Sequence, residues 1–550
     1  MLVCKEEVLS ITKQLVEVGS VVNTEGEAAM ARHIYNTISQ WAYFKENPDS
    51  LVLEQTLNDE QVRYNVIARV EGTKARSPRT LILMGHLDTV GIEDYNQLQP
   101  LACRPDALRE EMRKEDVSPL IRNHLESGEW MFGRGTLDMK SGVASHMYLL
   151  KYYSENPELL AGNLVLVSEC DEEDSSHGIL SALKTLIAWK KEYGLDYVGA
   201  INSDFVSPRY EGDDNRYIYR GTVGKLLPSF FITGAETHVG SCFEGLDPNF
   251  IAAYLTKQIN YNPELCDEAL GETTVPPVSL KQTDLKPSYT VQTALSAYVY
   301  YNFFVHSWTP KDVLVKLKQQ AELAFSKALQ DYKNHYQAYC SLGGEAYQEP
   351  GWQPRVLTYE EMDQQLQELY GEAYTSSMRE LKERLLKDPS LDTRMFSARV
   401  VEEAWKWMKD RSPAIILFYS SLYSPRIELS GKNEKERALI DGLDQALEEI
   451  QPHYPHPMTI RNFFPYISDM SFVALSDDEQ AIDAMIQNTP CWGKKLKVEF
   501  DDIRALQVPV VNIGPYGWDA HKKYERVEME YSFHIVPNLT NSVIQYILGN

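Results

Sequence analysis

The chain is punctuated by short apolar runs that end in residues able to bind a metal ion or carry a proton. RTLILMGHLD closes on His86 and Asp88, and GNLVLVSECDEED closes on Glu172 and Glu173. YVGAINSDF ends at Asp204, and VPVVNIGPYGWDAH runs on to His521. Runs of this length, with helical patterns such as Val143–Tyr153 and Ile179–Tyr193 between them, predict an α/β fold. Its core is a mostly parallel sheet with helices on both faces. In an open parallel sheet the carboxyl ends of the strands share one edge, where loops form the binding crevice. Residues distant in sequence therefore meet there. A fifth segment, GRGTLDMKSG, is a glycine-punctuated loop entering a helix, and it brings Asp138.

At 550 residues one hydrophobic core does not suffice, and about two to four domains are expected. Two opening helices are predicted from Leu9, Ile11, Leu15 and Val18 and from Ala29, Ile34, Ile38 and Trp41. The texture changes near Gly224. KLLPSFFITGAETHVG and YTVQTALSAYVYYNFFVHSW read as half-buried strands, separated by a helix near Pro248–Ile259 and followed by the amphipathic stretch Lys311–Tyr332. These define an inserted α+β domain. Residues 333 to about 410 are polar and helical, and their charge runs predict a solvated helical extension. The strand PAIILFYSSLY and the helix Glu434–Ile450 are expected to lead back to the first domain. The expected organisation is thus a discontinuous catalytic domain, 1–223 and 411–550, with an inserted domain at 224–410.

Charge narrows the function classes. A formal net charge of -25 repels phosphate backbones, so nucleic acid is not an expected partner. Seven scattered cysteines without a CxxC pair fit reduced thiols in a reducing compartment. The opening residues are broken by Lys5, Glu6, Glu7 and Lys13, unlike a secretory signal, and no stretch of about 18 apolar residues appears. A cytoplasmic protein without a membrane span is expected.

His-x-Asp or an acidic run is commonplace alone; the joint set carries the argument. Two divalent ions roughly 3.5–4 Å apart need a shared carboxylate, terminal imidazole and carboxylate ligands, and a water. His86, Asp138, one of the pair Glu172 and Glu173, Asp204 and His521 supply such a set, and neutral imidazole with carboxylate suits zinc, with cobalt or manganese as substitutes. Glu172 and Glu173 are adjacent, so one can bind metal while the other serves as base. Asp88, two residues beyond His86, is placed to hold the imidazole in its ligating tautomer.

MGHLDTV, GRGTLDMKSG, CDEED, the aspartate of INSDF, GAETHVG and GPYGWDAH together resemble the M20 family of metallopeptidases and aminoacylases. The resemblance implies that Asp138 bridges two metals, with His86 and Asp204 on one and Glu173 and His521 on the other. It implies Glu172 as general base, Asp88 as the residue orienting His86, and His238 as a lid histidine that reaches the scissile carbonyl oxygen, often in a partner subunit. A homodimer formed through the lid is the pairing it implies.

Three departures set this chain apart. The loop between Val90 and Met131 is long, YYNFFVHSW stands where many relatives carry a D-x-R motif, and the 333–410 segment lengthens the insert. With SDMSF at Ser468–Phe472, these features resemble the RocB-type arginine-utilisation proteins of bacteria. The expected function is hydrolysis of a C–N amide bond in a small amino-acid derivative or peptide. The alternatives are a ureido or carbamoyl amidohydrolase of arginine catabolism and a catalytically silent regulatory homologue. The complete ligand set weighs against the last.

Overall fold

The computed structural model describes residues 3–344 and 346–549. The chain divides into two compact units. The first comprises the chain up to Thr222, Ile427–Leu475 and the stretch from Glu499 onward; the second comprises Val223–Arg426 and Ser476–Val498.

The first unit is built on an eight-stranded sheet. Its spatial order is Leu51–Gln55, Tyr64–Glu71, Asn163–Glu169, Arg79–His86, Asp196–Asn202, Val510–Asn512, Arg216–Tyr219 and Met458–Arg461. The four strands from Asn163–Glu169 to Val510–Asn512 run parallel. Asn163–Glu169 is buried along its whole length and Arg79–His86 from its second residue on, as a parallel sheet covered on both faces requires. Each fully buried leucine here, such as Leu81 or Leu83, contributes roughly 1.5–3 kcal/mol. Lys140–Glu155 packs on the face that presents Gly85, and Glu434–Ile450 packs on the same face over Gly199. His177–Glu192 lies on the other face, where Asn65 donates to the Gly178 carbonyl at 2.8 Å.

Tyr64–Glu71 is an exception to the parallel series and runs antiparallel to Asn163–Glu169. It is joined to its other neighbour, Leu51–Gln55, by a short connection, which permits only antiparallel pairing. Arg216–Tyr219 and Met458–Arg461 carry four residues each, too few for a readable pattern.

The second unit holds a six-stranded sheet. Val278–Asp284, Ser296–Val305, Pro228–Thr233, Ala414–Tyr419 and Val356–Thr358 lie side by side, and Gly224–Leu226 extends the pairing of Ser296–Val305. Helices Pro248–Ile259 and Pro310–Gly343 cover one face, where Tyr301 meets the Thr256 hydroxyl at 3.0 Å and Tyr419 donates to the Pro310 carbonyl at 2.6 Å.

Two expectations for this region are corrected. Ala414–Tyr419 pairs with Pro228–Thr233, so the chain returns to the first unit at Ile427 and not near 411. The 333–410 segment is also more than a solvated extension. Tyr359–Tyr370, Glu372–Leu385 and Thr393–Lys406 bury Met362, Leu366, Met378, Phe396 and Val400 against Phe231, Tyr298, Ile416 and Phe418 on the second face. Apolar residues every three or four positions form a single stripe, which the surrounding Glu, Gln and Lys conceal in the sequence.

Candidate metal centre

The parallel strands deliver their terminal residues to one edge of the first unit. His86 is the last residue of its strand, and its Nε2 lies 3.0 Å from Oδ1 of Asp138. The other oxygen of Asp138, Oδ2, lies 2.7 Å from Nε2 of His521. That same nitrogen is 3.1 Å from Oε1 of Glu173. Glu172 Oε2 stands 3.8 Å from His86 Nε2. Asp204 follows the strand Asp196–Asn202, is buried, and accepts from its neighbour's amide, Phe205 N, at 2.7 Å.

Four sets of contacts hold these groups. The Asp88 carboxylate receives the amides of Glu172 and Glu173 at 3.3 and 3.1 Å, which fixes the turn carrying both glutamates. The His86 ring is oriented by the Asp88 backbone carbonyl, 3.1 Å from Nδ1; the carboxylate expected in that role is 3.7 Å away. Asp171, with a φ of 66°, turns the chain into the glutamate pair. It accepts from Arg63 at 2.7 Å and from the amide of His177 at 3.0 Å, and its own amide donates to Glu27 at 3.0 Å. Glu525 receives the amides of Leu137 and Asp138 at 3.2 and 3.3 Å while Arg134 donates to it at 2.6 Å, tying the late segment to the loop of Asp138.

Asp204 is set by a close backbone approach. The Asn512 amide group donates to the Asp204 carbonyl at 2.8 Å, and a Cβ at Gly514 would stand 1.6 Å from that carbonyl oxygen. Only glycine fits there.

So many buried carboxyls in one place shift one another. Burial pushes Glu172 well above its usual range, and burial with the charge of Asp138 pushes Asp204 up to about 7. Burial alone would lower an imidazole, yet Asp138 and Glu173 raise His521 to about 11. Carboxyls and imidazoles crowded in this way hold protons that bound multivalent cations would displace.

The residues fit two divalent ions. His86, Asp138 and Glu173 each offer a ligand atom within 4.8 Å of one another, and Asp138 turns one oxygen to each of two imidazoles. Imidazole and carboxylate donors of this kind suit zinc and its neighbours in the first transition row. A second acidic group, Asp59, Asp171 and His177, has the Arg63 guanidinium at its centre, 2.7 Å from both Asp59 and Asp171.

Several buried groups carry no sequence motif. Arg63, Glu27 and Glu525 act on the site through contacts with residues more than a hundred positions away, so pattern reading passes them over. Asp171 lies within the acidic run, where the sequence alone gives it no role. Glu169 and Asp469 are buried carboxyls behind the site, and burial pushes Asp469 up to about 8.

His238 belongs to the second unit and caps the turn Val239–Glu244. Its Nδ1 accepts from the Gly240 amide at 3.0 Å. A neutral imidazole accepting at Nδ1 carries its proton on Nε2, so the exposed ring presents a donor.

The model of peptidase family M20/M25/M40 matches residues 82–535, and the chain belongs to that family of metal-dependent hydrolases. Among its relatives, Protein RocB of Bacillus subtilis (strain 168) is 36% identical over 544 residues, covering 99% of this chain and 95% of that protein. The uncharacterized protein YqjN of the same strain is 30% identical over 546 residues, covering 99% and 97%. The solved structure of aminopeptidase PepT from Bacillus cereus ATCC 10987 shares the fold with a TM-score of 0.52 at 12% identity, over 100% of both chains. No helix among the described residues is long and apolar enough to cross a membrane.

Proposed function

We propose that this protein hydrolyses a C–N amide bond in a small amino-acid derivative. The observation that carries the reading is the Asp138 carboxylate, which faces His86 with one oxygen and His521 with the other, with Glu172 beside it. In this reading Asp138 would be shared by two divalent ions, His86 and Asp204 would complete one site, and Glu173 and His521 would complete the other. Zinc is the first candidate, with cobalt or manganese as substitutes. When bound, such ions polarise the carbonyl and acidify the attacking water.

The remaining chemistry belongs to the chain's own residues. Glu172, as the carboxylate, takes the proton from the water, and its buried setting, which favours the protonated form, lets it hold that proton until it delivers it to the leaving nitrogen. Asp88 keeps Glu172 in position through that residue's amide. His238, with its proton on Nε2, is the proposed donor to the oxyanion that forms at the carbonyl. The resemblance of the long insert and the SDMSF segment to arginine-utilisation proteins favours an arginine-derived amide, with a ureido group as the second reading. A cytoplasmic enzyme paired through its inserted domain completes the proposal.

The test is a screen of zinc-loaded enzyme against N-acetyl amino acids, dipeptides and N-carbamoyl amino acids. A free carboxylic acid product supports amide hydrolysis, whereas ammonia with carbon dioxide supports the ureido reading. Glu172→Gln should lose turnover by at least about a hundredfold with its metal content unchanged. Retained turnover in that variant sinks the assignment of the base.

A further inference from the structure

The turn that carries His238 is gripped by aromatic side chains from the far end of the long helix. Phe243, in the turn Val239–Glu244, stacks on Tyr336 with ring centroids 4.8 Å apart and planes 16° from parallel. Tyr339 and Tyr332 flank the same ring at 5.2 and 5.7 Å. The Tyr332 hydroxyl donates to the Phe243 backbone carbonyl at 2.8 Å, so the ring and the main chain are both held. The grip is backed by a second layer. Tyr347 packs on Tyr336 at 5.2 Å, Trp352 on Tyr332 at 5.5 Å, and Glu349 pairs with Lys333 at 2.5 Å.

On its other side the turn is stitched to the segment 291–293. Val239 donates to the Val291 carbonyl at 3.0 Å, and the Thr237 amide donates to the Thr293 hydroxyl at 3.0 Å. Within it, Ser241 donates to the His238 carbonyl at 2.9 Å, and Gly240 donates to the His238 ring at Nδ1. The contact that decides which ring nitrogen carries the proton thus depends on the turn keeping its shape. The amphipathic pattern that predicts this helix ends at Tyr332; Tyr336 and Tyr339 lie on the continuation, and Tyr347 and Trp352 on the loop beyond.

We propose that this continuation and loop form an aromatic clasp whose role is to position His238, holding the turn 239–244 so that the ring keeps its proton on Nε2. The clasp gives a function to the chain's extra length just past residue 332. Phe243 and Tyr336 are positioning residues, acting through the turn and touching no substrate. The proposal rests on the reading of His238 as the oxyanion donor.

The test uses zinc-loaded full-length protein and two readouts. Amide hydrogen exchange across 236–246, followed by mass spectrometry, should accelerate at least about tenfold in Phe243→Ala and Tyr336→Ala while the segments carrying His86 and Asp138 stay unchanged. With an N-acetyl amino acid cleaved in the screen above, both variants should lose kcat by roughly tenfold to a hundredfold with KM within about twofold. Tyr336→Phe, which keeps the stacking ring, should restore both. Unchanged exchange in Phe243→Ala overturns the clasp, as does faster exchange with full kcat while His238→Gln is inactive. An active His238→Gln overturns the oxyanion assignment instead, and accelerated exchange in Phe243→Ala would then support the clasp only as a brace for the turn.

Discussion

The Arg63 guanidinium donates to the Asp171 carboxylate at 2.7 Å, joining the residue just before the strand Tyr64–Glu71 to the turn that carries Glu172 and Glu173. The same guanidinium reaches Asp59 at 2.7 Å and Glu27 at 3.0 Å, so one cation serves three buried carboxylates. Burial pushes Glu27 up to about 8 even with this partner present. Arg63→Met should therefore strand buried negative charge and cost about 3–5 kcal/mol of unfolding free energy, read from urea denaturation at pH 7. A cost below about 1 kcal/mol would show that the network is dispensable.

Asp138 presents one oxygen to His86 and the other to His521. If it is the shared ligand, Asp138→Ala should lose both ions together, and Glu173→Ala should retain one more firmly than the other. Elemental analysis after dialysis against a weak chelator measures this directly. Retention of two ions per chain by Asp138→Ala would refute the bridging role.

Gly514 has no room for a side chain, because a Cβ would meet the Asp204 backbone oxygen at 1.6 Å. That oxygen is main chain and already bound by Asn512, so it cannot swing aside. Gly514→Ala should destabilise the first unit by about 1–3 kcal/mol or more and disturb Asp204, the candidate ligand just after the strand Asp196–Asn202. Thermal denaturation with metal titration checks both effects, and an unchanged midpoint contradicts the close approach.

His124 accepts at Nδ1 from Nε of Arg526 at 2.8 Å and stacks on Trp130 at 3.9 Å. Burial, then the charge of Arg526, depresses its pKa from 6.5 to about 4. A depressed folded value means that the neutral ring is favoured by folding. Its contribution is complete above about pH 6.5 and fades as pH falls toward 4, where the unfolded chain binds the proton that the folded chain resists. The loss is on the order of 3 kcal/mol. His124→Gln keeps an acceptor for Arg526 without titrating there, so the difference in unfolding free energy between wild type and variant should narrow by that amount from pH 7 to 4. Parallel curves would exclude this linkage.

The candidate ligands His86, Asp138, Glu173, Asp204 and His521 were legible as local patterns. Each follows an apolar run or sits in a glycine-rich loop, and strand-end chemistry is written within a few neighbouring residues. The helix expected near Pro248–Ile259 forms there, because its proline start and apolar stripe are equally local. What holds the ligands was not legible. Arg63 meets Asp171 across 108 positions, and Arg134 meets Glu525 across 391; a lone Arg or Glu carries no mark of a partner so distant. The antiparallel placement of Tyr64–Glu71, the return of the chain at Ile427, and the buried face of the three helices after residue 358 were likewise decided by tertiary packing. Alternation and helical spacing fix which side of an element is apolar, but the neighbour that covers it is selected by the free energy of burying that side in the complete fold.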